Sequence, residues 1–437
     1  MVKNLFIKTF GCQMNEYDSL KLAKILEPEF KLVETPEEAD LIFINTCSVR
    51  EKAEKKVYSL LGSFKRLKKK KKVVIGVGGC VAQQEGENIV KKSPVVDFVV
   101  GTHNLSLVPS LVERALSNFP PQVAVDYRSD WEQLPIGISS GVSGLVSISR
   151  GCNKNCSFCI VPKTRGPEVS RPLEEVVREV KYLVAQGSKE IILLGQTVNS
   201  WGNDLKPRKK FVDLLEAVCA VEGVKRVRFT SPHPQEMRSE LIDFVRDSDV
   251  MCKHFHMPLQ SGSNKILKLM NRNYRKERYL AIIDEIKSKV PECAITTDII
   301  VGFPYETEED FQETLEVVRI VEFDSSFSFV FSPRPGTKAA SLDGKVPRDV
   351  ALERLYRLQA LQKEITERKL KNWIGKVTEV LVEGPSADGR ENFVQGKNSQ
   401  GIYVVFEAPG MVGQIVNAKI TSAGSHTLCG EIWSQPL

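Results

Sequence analysis

The sequence predicts an α/β protein in three parts: a parallel α/β unit, a central partial (β/α)6 barrel and a small antiparallel β-barrel. Three observations carry this. Apolar strand-like runs alternate with helical patterns over most of the chain, the signature of parallel sheets covered by helices. From Leu145 to Phe331 that alternation repeats over six strands. Beyond Ile374 it gives way to short strands separated by Gly and Pro turns, which suits a small β-barrel. A chain of 437 residues also exceeds what one hydrophobic core normally holds.

The first unit spans residues 1–118. Its expected strands are Leu5–Phe10, Leu41–Asn45, Val73–Val77 and Val95–Val100, with helices over Asn15–Leu26, Ser48–Lys68, Gln84–Lys92 and Leu105–Leu116. Cys12, Cys47 and Cys80 each follow a strand and precede a helix. Open α/β sheets bind ligands outside the carboxyl ends of their strands, so three cysteines far apart in sequence are expected to converge there as a metal site. Simple packing of small buried thiols is the alternative. The turns GCQMN, NTCSV and GGCVAQ suit tight bends and helix starts, where free N–H groups favour thiolates. The basic run Lys65–Lys72 reads first as a solvated helix end, favourable against the helix dipole, and second as an RNA contact.

Residues 119–141, with Pro120, Pro121 and Pro135, read as a linker. The central unit, 142–373, has expected strands Leu145–Ser149, Glu190–Leu194, Arg226–Thr230, Met251–His256, Ala294–Val301 and Ser326–Phe331. Helices such as Leu173–Ala185, Phe211–Val221, Tyr279–Val290 and Glu308–Val321 separate them. After the first of these strands come Cys152, Cys156 and Cys159 at spacing C-x3-C-x2-C, with no fourth ligand close behind. Structural zinc and closed clusters want four protein ligands; three thiolates leave one iron of a 4Fe–4S cluster open for a small molecule. Chemistry in such barrels sits at the carboxyl rim, where these cysteines fall. Cys219, Cys252, Cys293 and Cys429 lack metal-ligand spacing and read as packed residues. His233, His254 and His256 read as polar residues of the barrel mouth.

The long charged helix Pro347–Ile374 is expected to cover the barrel. In the last unit, 374–437, strands are expected at Val377–Val382, Ile402–Phe406, Gln414–Ile420 and Thr427–Ile432, with Lys376, Arg390, Lys397 and Lys419 as candidate phosphate contacts. A net charge of +6 is compatible with nucleic acid. No apolar run approaches the roughly 20 residues of a membrane span. The start MVKNLFIKTFGC lacks the regions of a signal peptide, and ten cysteines then point to a reducing compartment, hence the cytoplasm.

The C-x3-C-x2-C loop, with Phe158 before its last cysteine, resembles the signature of the radical S-adenosylmethionine (SAM) enzymes. TFGCQMNEYDS, INTCSVREKAE, GCVAQQEG and RGCNKNCSFCIVPKTRGPEVSRP together resemble the methylthiotransferases of that superfamily over nearly the whole chain. QMNEYDS and SVREKAE favour the branch acting on isopentenyladenosine in tRNA. The resemblance implies a six-stranded open barrel and a C-terminal TRAM-like RNA-binding domain. It also implies SAM and two 4Fe–4S clusters, one on Cys152, Cys156 and Cys159 and an auxiliary one on Cys12, Cys47 and Cys80. Phe158, Gly195, Gln196, Gln260, Ser261, Asp298 and Gly302 match stretches that contact SAM or shape its pocket in the family. Thr197 departs from the asparagine common there.

The implied reaction places a methylthio group on carbon 2 of isopentenyladenosine next to the anticodon. Implied partners are the tRNA anticodon stem-loop, a reductant such as flavodoxin or ferredoxin, and a sulfur or cluster donor, with the protein itself a monomer. The alternatives are the same chemistry on threonylcarbamoyl-adenosine or a ribosomal protein, and a non-catalytic iron–sulfur RNA-binding protein.

Overall fold

The computed structural model describes residues 2–48, 51–128, 134–137 and 141–434. Val49 and Arg50 of the SVREKAE stretch, and parts of the segment 119–141, lie outside the described residues.

Six parallel strands make the first sheet: β1 (Lys3–Thr9), β2 (Phe30–Leu32), β3 (Leu41–Thr46), β4 (Val74–Gly79), β5 (Phe98–Val100) and β6 (Gln122–Ala124), in the order β2-β1-β3-β4-β5-β6. β3 and β4 are buried along their whole length, which is why they read as continuous apolar runs instead of alternating ones. Two edges were not anticipated. Three-residue β2 is too short for a periodicity, and β6 lies in the stretch read as a linker, pairing parallel to β5. The strand order reverses between β1 and β3, and that reversal opens a crevice at their carboxyl ends.

The central unit carries β7 (Ser143–Ser147), a short antiparallel pair β8 (Ser149–Arg150) and β9 (Val169–Ser170), then β10 (Glu190–Leu194), β11 (Arg226–Phe229), β12 (His254–His256), β13 (Ala294–Val301) and β14 (Ser325–Val330). β7, β10 and β11 form one parallel sheet and β12, β13 and β14 another. A parallel bridge from Val227 to Met251 joins them, so six strands curve into an incomplete barrel. Outward side chains such as Val146, Ile191, Val227, Phe255, Ile299 and Val330 pack under the surrounding helices in the largest core of the molecule. Burying each such side chain contributes about 1.5–3 kcal/mol. The helix Arg348–Lys371 adds Leu358 and Ile365 to that core, and Leu370 to the next one.

The last five strands, β15 (Val377–Pro385), β16 (Phe393–Asn398), β17 (Tyr403–Glu407), β18 (Ile415–Ala423) and β19 (Thr427–Ile432), close a barrel in the order β15-β16-β17-β19-β18. All neighbours run antiparallel except β17 and β19, because β18 follows β17 in sequence but pairs with β15 and β19. β16 replaces the break between the first two expected strands.

This small barrel is docked against the amino-terminal ends of the central strands. Arg226 donates to the Lys397 carbonyl at 2.6 Å and to the Glu379 carboxylate at 2.8 Å. The Lys253 N–H donates to Ser399 Oγ at 2.9 Å. Beneath them Arg228 pairs with buried Glu190 at 3.1 Å. The opposite, carboxyl rim is left for chemistry.

Candidate active site

The β1–helix turn brings the first two cysteines together. Gly11 has φ +111°, and a Cβ there would lie 2.3 Å from the Cys47 Cβ, so only glycine lets this turn approach Cys47. Cys12 caps the helix Gln13–Leu26, and Cys47 sits just past the carboxyl end of β3. The Cys12 thiol is lowered to about 6, first by its hydrogen bond with Cys47; desolvation opposes, while Arg165 and the N–H groups of Asn15 and Met14 assist. Cys80 opens the helix after β4, where Gly79 (φ +90°) has room for no Cβ, because Asn45 Oδ1 would be 2.3 Å away. All three thiols therefore stand at the carboxyl edge of the first sheet, around the order reversal.

Asn15 clamps this edge. Its amide donates to the Phe10 carbonyl at 2.8 Å and the Thr46 carbonyl at 2.9 Å, the residues two before Cys12 and one before Cys47. Asn45 returns a bond to the Asn15 carbonyl at 2.8 Å. Three residues of QMNEYDS face the central barrel. Met14 and Tyr17 pack on Leu145, Ile192 and Leu194 of its inner face, Tyr17 donates to Glu179 at 3.3 Å, and Asp18 pairs with Arg165 at 2.7 Å. The helix led by Cys12 thus fills the mouth side of β7 and β10.

The second triplet lies in the loop after β8. Cys152 Sγ is 3.3 Å from the Thr197 hydroxyl and receives the Lys154 N–H at 3.4 Å. Arg272 donates to Cys156 Sγ at 3.4 Å and is held by the Pro258 carbonyl at 3.1 Å. Burial pushes the Cys152 thiol up, and Cys159 up to about 12. No three of the described His, Cys, Asp and Glu side chains are grouped to hold one metal ion. A four-iron cluster instead takes one thiolate per iron over a wider span. Donor chemistry fits that group: three sulfurs per site, each set receiving hydrogen bonds or lying beside an arginine.

The other predicted site residues divide by geometry. The Gln196 side-chain Oε1 accepts the Gly151 N–H, which ties the strand end to the cysteine loop. Gly195 lies against Ser149, whose Oγ would be 2.6 Å from a Cβ. Gln260 holds φ +69° and bridges Ile299. Asp298 is half-exposed on the inner face, 3.3 Å from His256. Phe158 packs edge-on to Phe303 at 6.5 Å. Ser261 is fully buried, 3.4 Å from the Thr314 hydroxyl, and Gly302 packs on Ala351 of the long helix; both shape the rim without side chains facing its interior.

His233 is buried near the rim and pushed down to about 2 by burial, with Arg272 and Lys154 adding to it. His254 lies a layer lower, 3.0 Å from Thr296 and beside Arg228, so it is not at the mouth. Burial raises Cys219 and Cys252 to about 11 and Cys293 to about 12, which suits inert packed thiols. Arg165, Arg272 and Glu179 were missed. Arg165 stands within RGCNKNCSFCIVPKTRGPEVSRP, but nothing in a lone arginine says that it reaches a helix 150 residues earlier.

Comparison with known proteins bears on the whole chain. Three family models match: the radical SAM superfamily over residues 146–318, the uncharacterized protein family UPF0004 over 4–101 and the TRAM domain over 371–433. A tRNA-2-methylthio-N(6)-dimethylallyladenosine synthase of Fusobacterium nucleatum is 44% identical, covering 99% of this chain and 100% of that one. One of Caldicellulosiruptor saccharolyticus is 46% identical, covering 98% and 92%. Among solved structures, the radical S-adenosylmethionine methyltransferase TsrM of Kitasatospora setae superposes with a TM-score of 0.60 at 13% identity, over 83% of this chain and 89% of that one, a likeness of fold. With such relatives matched from end to end, the chain belongs to the family of tRNA-2-methylthio-N(6)-dimethylallyladenosine synthases.

Proposed function

We propose that this protein is the radical SAM enzyme that methylthiolates carbon 2 of isopentenyladenosine beside the tRNA anticodon. The observation that carries the reading is the pairing of two three-cysteine sites at the carboxyl edges of two parallel sheets, within a chain matched throughout by relatives of that name. Its cofactors are SAM and 4Fe–4S clusters. When bound, a cluster with SAM on its open iron supplies reductive cleavage to methionine and a 5′-deoxyadenosyl radical, and an auxiliary cluster supplies sulfur.

We assign Cys152, Cys156 and Cys159 to the first cluster and Cys12, Cys47 and Cys80 to the second. Gln196, Gln260 and Asp298, with Phe158 and Gly195, are assigned to the SAM pocket by their place on the rim; Ser261 and Gly302 support its backbone. In strand register with Asp298 and Ile300 stand Phe327 and Phe329, whose exposed rings share that inner face and offer apolar surface to a prenyl group. The units are residues 1–118, 142–373 and 374–437 with 119–141 between them, Gln122–Ala124 being lent to the first sheet. None of the ten cysteines is in a disulfide and no described helix is long and apolar enough to cross a membrane, which supports a cytoplasmic protein. A monomer, a reductant such as flavodoxin or ferredoxin, and a sulfur or cluster donor complete the proposal.

The test is the choice between prenylated and unprenylated anticodon stem-loops. Five apolar carbons are worth up to ~0.8 kcal/mol each when buried, so the prenylated loop is expected to be modified at least tenfold faster. Equal rates would reject this substrate and favour the related tRNA or ribosomal-protein reactions.

RNA contact by the small barrel has its own test. Lys397 is spent on Glu383 at 3.2 Å, in the docked face. Lys376 and Lys419 lie over Trp373 and Trp433, and Arg390 lies over Phe393 while paired with exposed Asp388 at 2.8 Å. Replacing these three with alanine is expected to flatten the log-affinity against log-salt slope by about 2, at ~0.7 per phosphate on a single-stranded loop. Truncation at Lys376 is a poorer experiment, since it strips the partners of buried Arg226. An unchanged slope would place the RNA elsewhere.

A further inference from the structure

Between Cys159 and the rest of the barrel runs a single helical turn, Val161–Thr164, and Arg165 ends it. The side chain leaves the barrel altogether. It is 6% exposed and donates from one guanidinium nitrogen to Asn15 Oδ1 at 2.8 Å and Asp18 Oδ2 at 2.7 Å. Next to it, the Thr164 carbonyl accepts from the Thr102 hydroxyl at 2.5 Å, so this turn is pinned to the first unit at two points. Asn15 is the residue that clamps the carbonyls of Phe10 and Thr46. A continuous path of bonds therefore leads from the loop of one cysteine triplet to the strand ends that carry two members of the other. Asp18 balances only one unit of negative charge. Three thiolates on a cluster present more, and burying a guanidinium beside them costs less than burying it alone.

We propose that Arg165 is a positioning residue shared by the two sites: it holds Asn15 so that Cys12 and Cys47 stay in register, and it keeps a fixed positive charge beside the sulfur-supplying cluster. Its placement six residues after Cys159 makes the separation of the two sites a property of one short, braced segment. The surroundings agree in sign, since Cys12 and Cys80 both favour the charged guanidinium.

The inference rests on the two-cluster reading, and its experiment is chosen to separate the two. Holoenzymes carrying Arg165→Gln and Arg165→Lys are compared with wild type for iron content, potentiometric EPR of each cluster, 5′-deoxyadenosine and methylthio product. Arg165→Gln is expected to keep SAM cleavage, to make the auxiliary cluster harder to reduce while the first cluster is unmoved, and to lower product by up to about 100-fold. Arg165→Lys keeps the charge but not the bond geometry, so its potential should stay near wild type while product falls by less. A merely structural arginine would not shift one potential selectively. If Arg165→Gln fails to load the auxiliary irons, the lysine variant decides. Loading with a wild-type potential supports the proposal, and loss of the irons there too overturns it. An unchanged auxiliary potential in a fully loaded Arg165→Gln also overturns it. A wild-type protein with a single cluster would instead overturn the function reading itself.

Discussion

Alanine at Cys152, Cys156 or Cys159 abolishes both 5′-deoxyadenosine formation and methylthiolation. Each substitution leaves two thiolates where a cluster with one open iron needs three. The loop itself is held by other bonds, including those of Gln196 to Gly151 and Ser157 to the Met270 carbonyl, so the fold survives the loss. Alanine at Cys12, Cys47 or Cys80 gives the contrasting result. Those variants bind about four fewer irons, still cleave SAM under reducing conditions, and yield no methylthio product. Cys219→Ala is the control: a half-buried thiol remote from both sites, its loss costs a few kcal/mol at most and leaves both activities. Iron content, 5′-deoxyadenosine and modified nucleoside are measured on the same preparations. Full methylthiolation by Cys47→Ala, or 5′-deoxyadenosine from Cys156→Ala, would sink the division of labour.

Glu179→Ala destabilises the protein by about 3–5 kcal/mol, the cost of leaving buried Lys21 without its counter-charge. Glu179 is 1% exposed and serves Lys21 at 2.6 Å, Arg171 and the Tyr17 hydroxyl together. Lys21 and Tyr17 belong to the helix that Cys12 caps, whereas Arg171 and Glu179 belong to the barrel. Removing the carboxylate strands Lys21, leaves Arg171 to its 3.5 Å pairing with Glu175, and loosens the first unit from the second. Urea unfolding followed by separate probes of the two units measures it. Glu174→Ala serves as the comparison, since its pairing with half-buried Lys209 spans 3.7 Å with the carboxylate exposed and is worth under about 1 kcal/mol. Equal effects for the two variants would mean that the buried cluster does not hold the interface.

Local chemistry explains how much was legible beforehand. Buried strands such as β3 and β4 announce themselves as apolar runs, and the six central strands recur at βα spacing, so their places were evident to within three residues. The short edge strands β2 and β6 carry no such period and were missed. QMNEYDS read as a family marker; its physical role is docking, with Met14 and Tyr17 packed on the barrel's inner face and Asn15 and Asp18 both bonded to Arg165. The histidines misled in one case, because position along β12 decides whether a side chain meets the rim or the layer beneath it.

By itself the sequence determined the α/β class and the three-part order, and it pointed to two cysteine sets, because strand and helix periods, the C-x3-C-x2-C spacing and the place of a cysteine after a strand are local properties of the chain. Only the tertiary structure decided which groups meet. The strand order that opens a crevice between β1 and β3, the small barrel seated under Arg226, and the reach of Arg165 to Asn15 all join residues far apart in sequence. Their physical cause is the same. Buried charges and unpaired carbonyls must find partners wherever packing brings the chain together, and a one-dimensional pattern does not carry that distance.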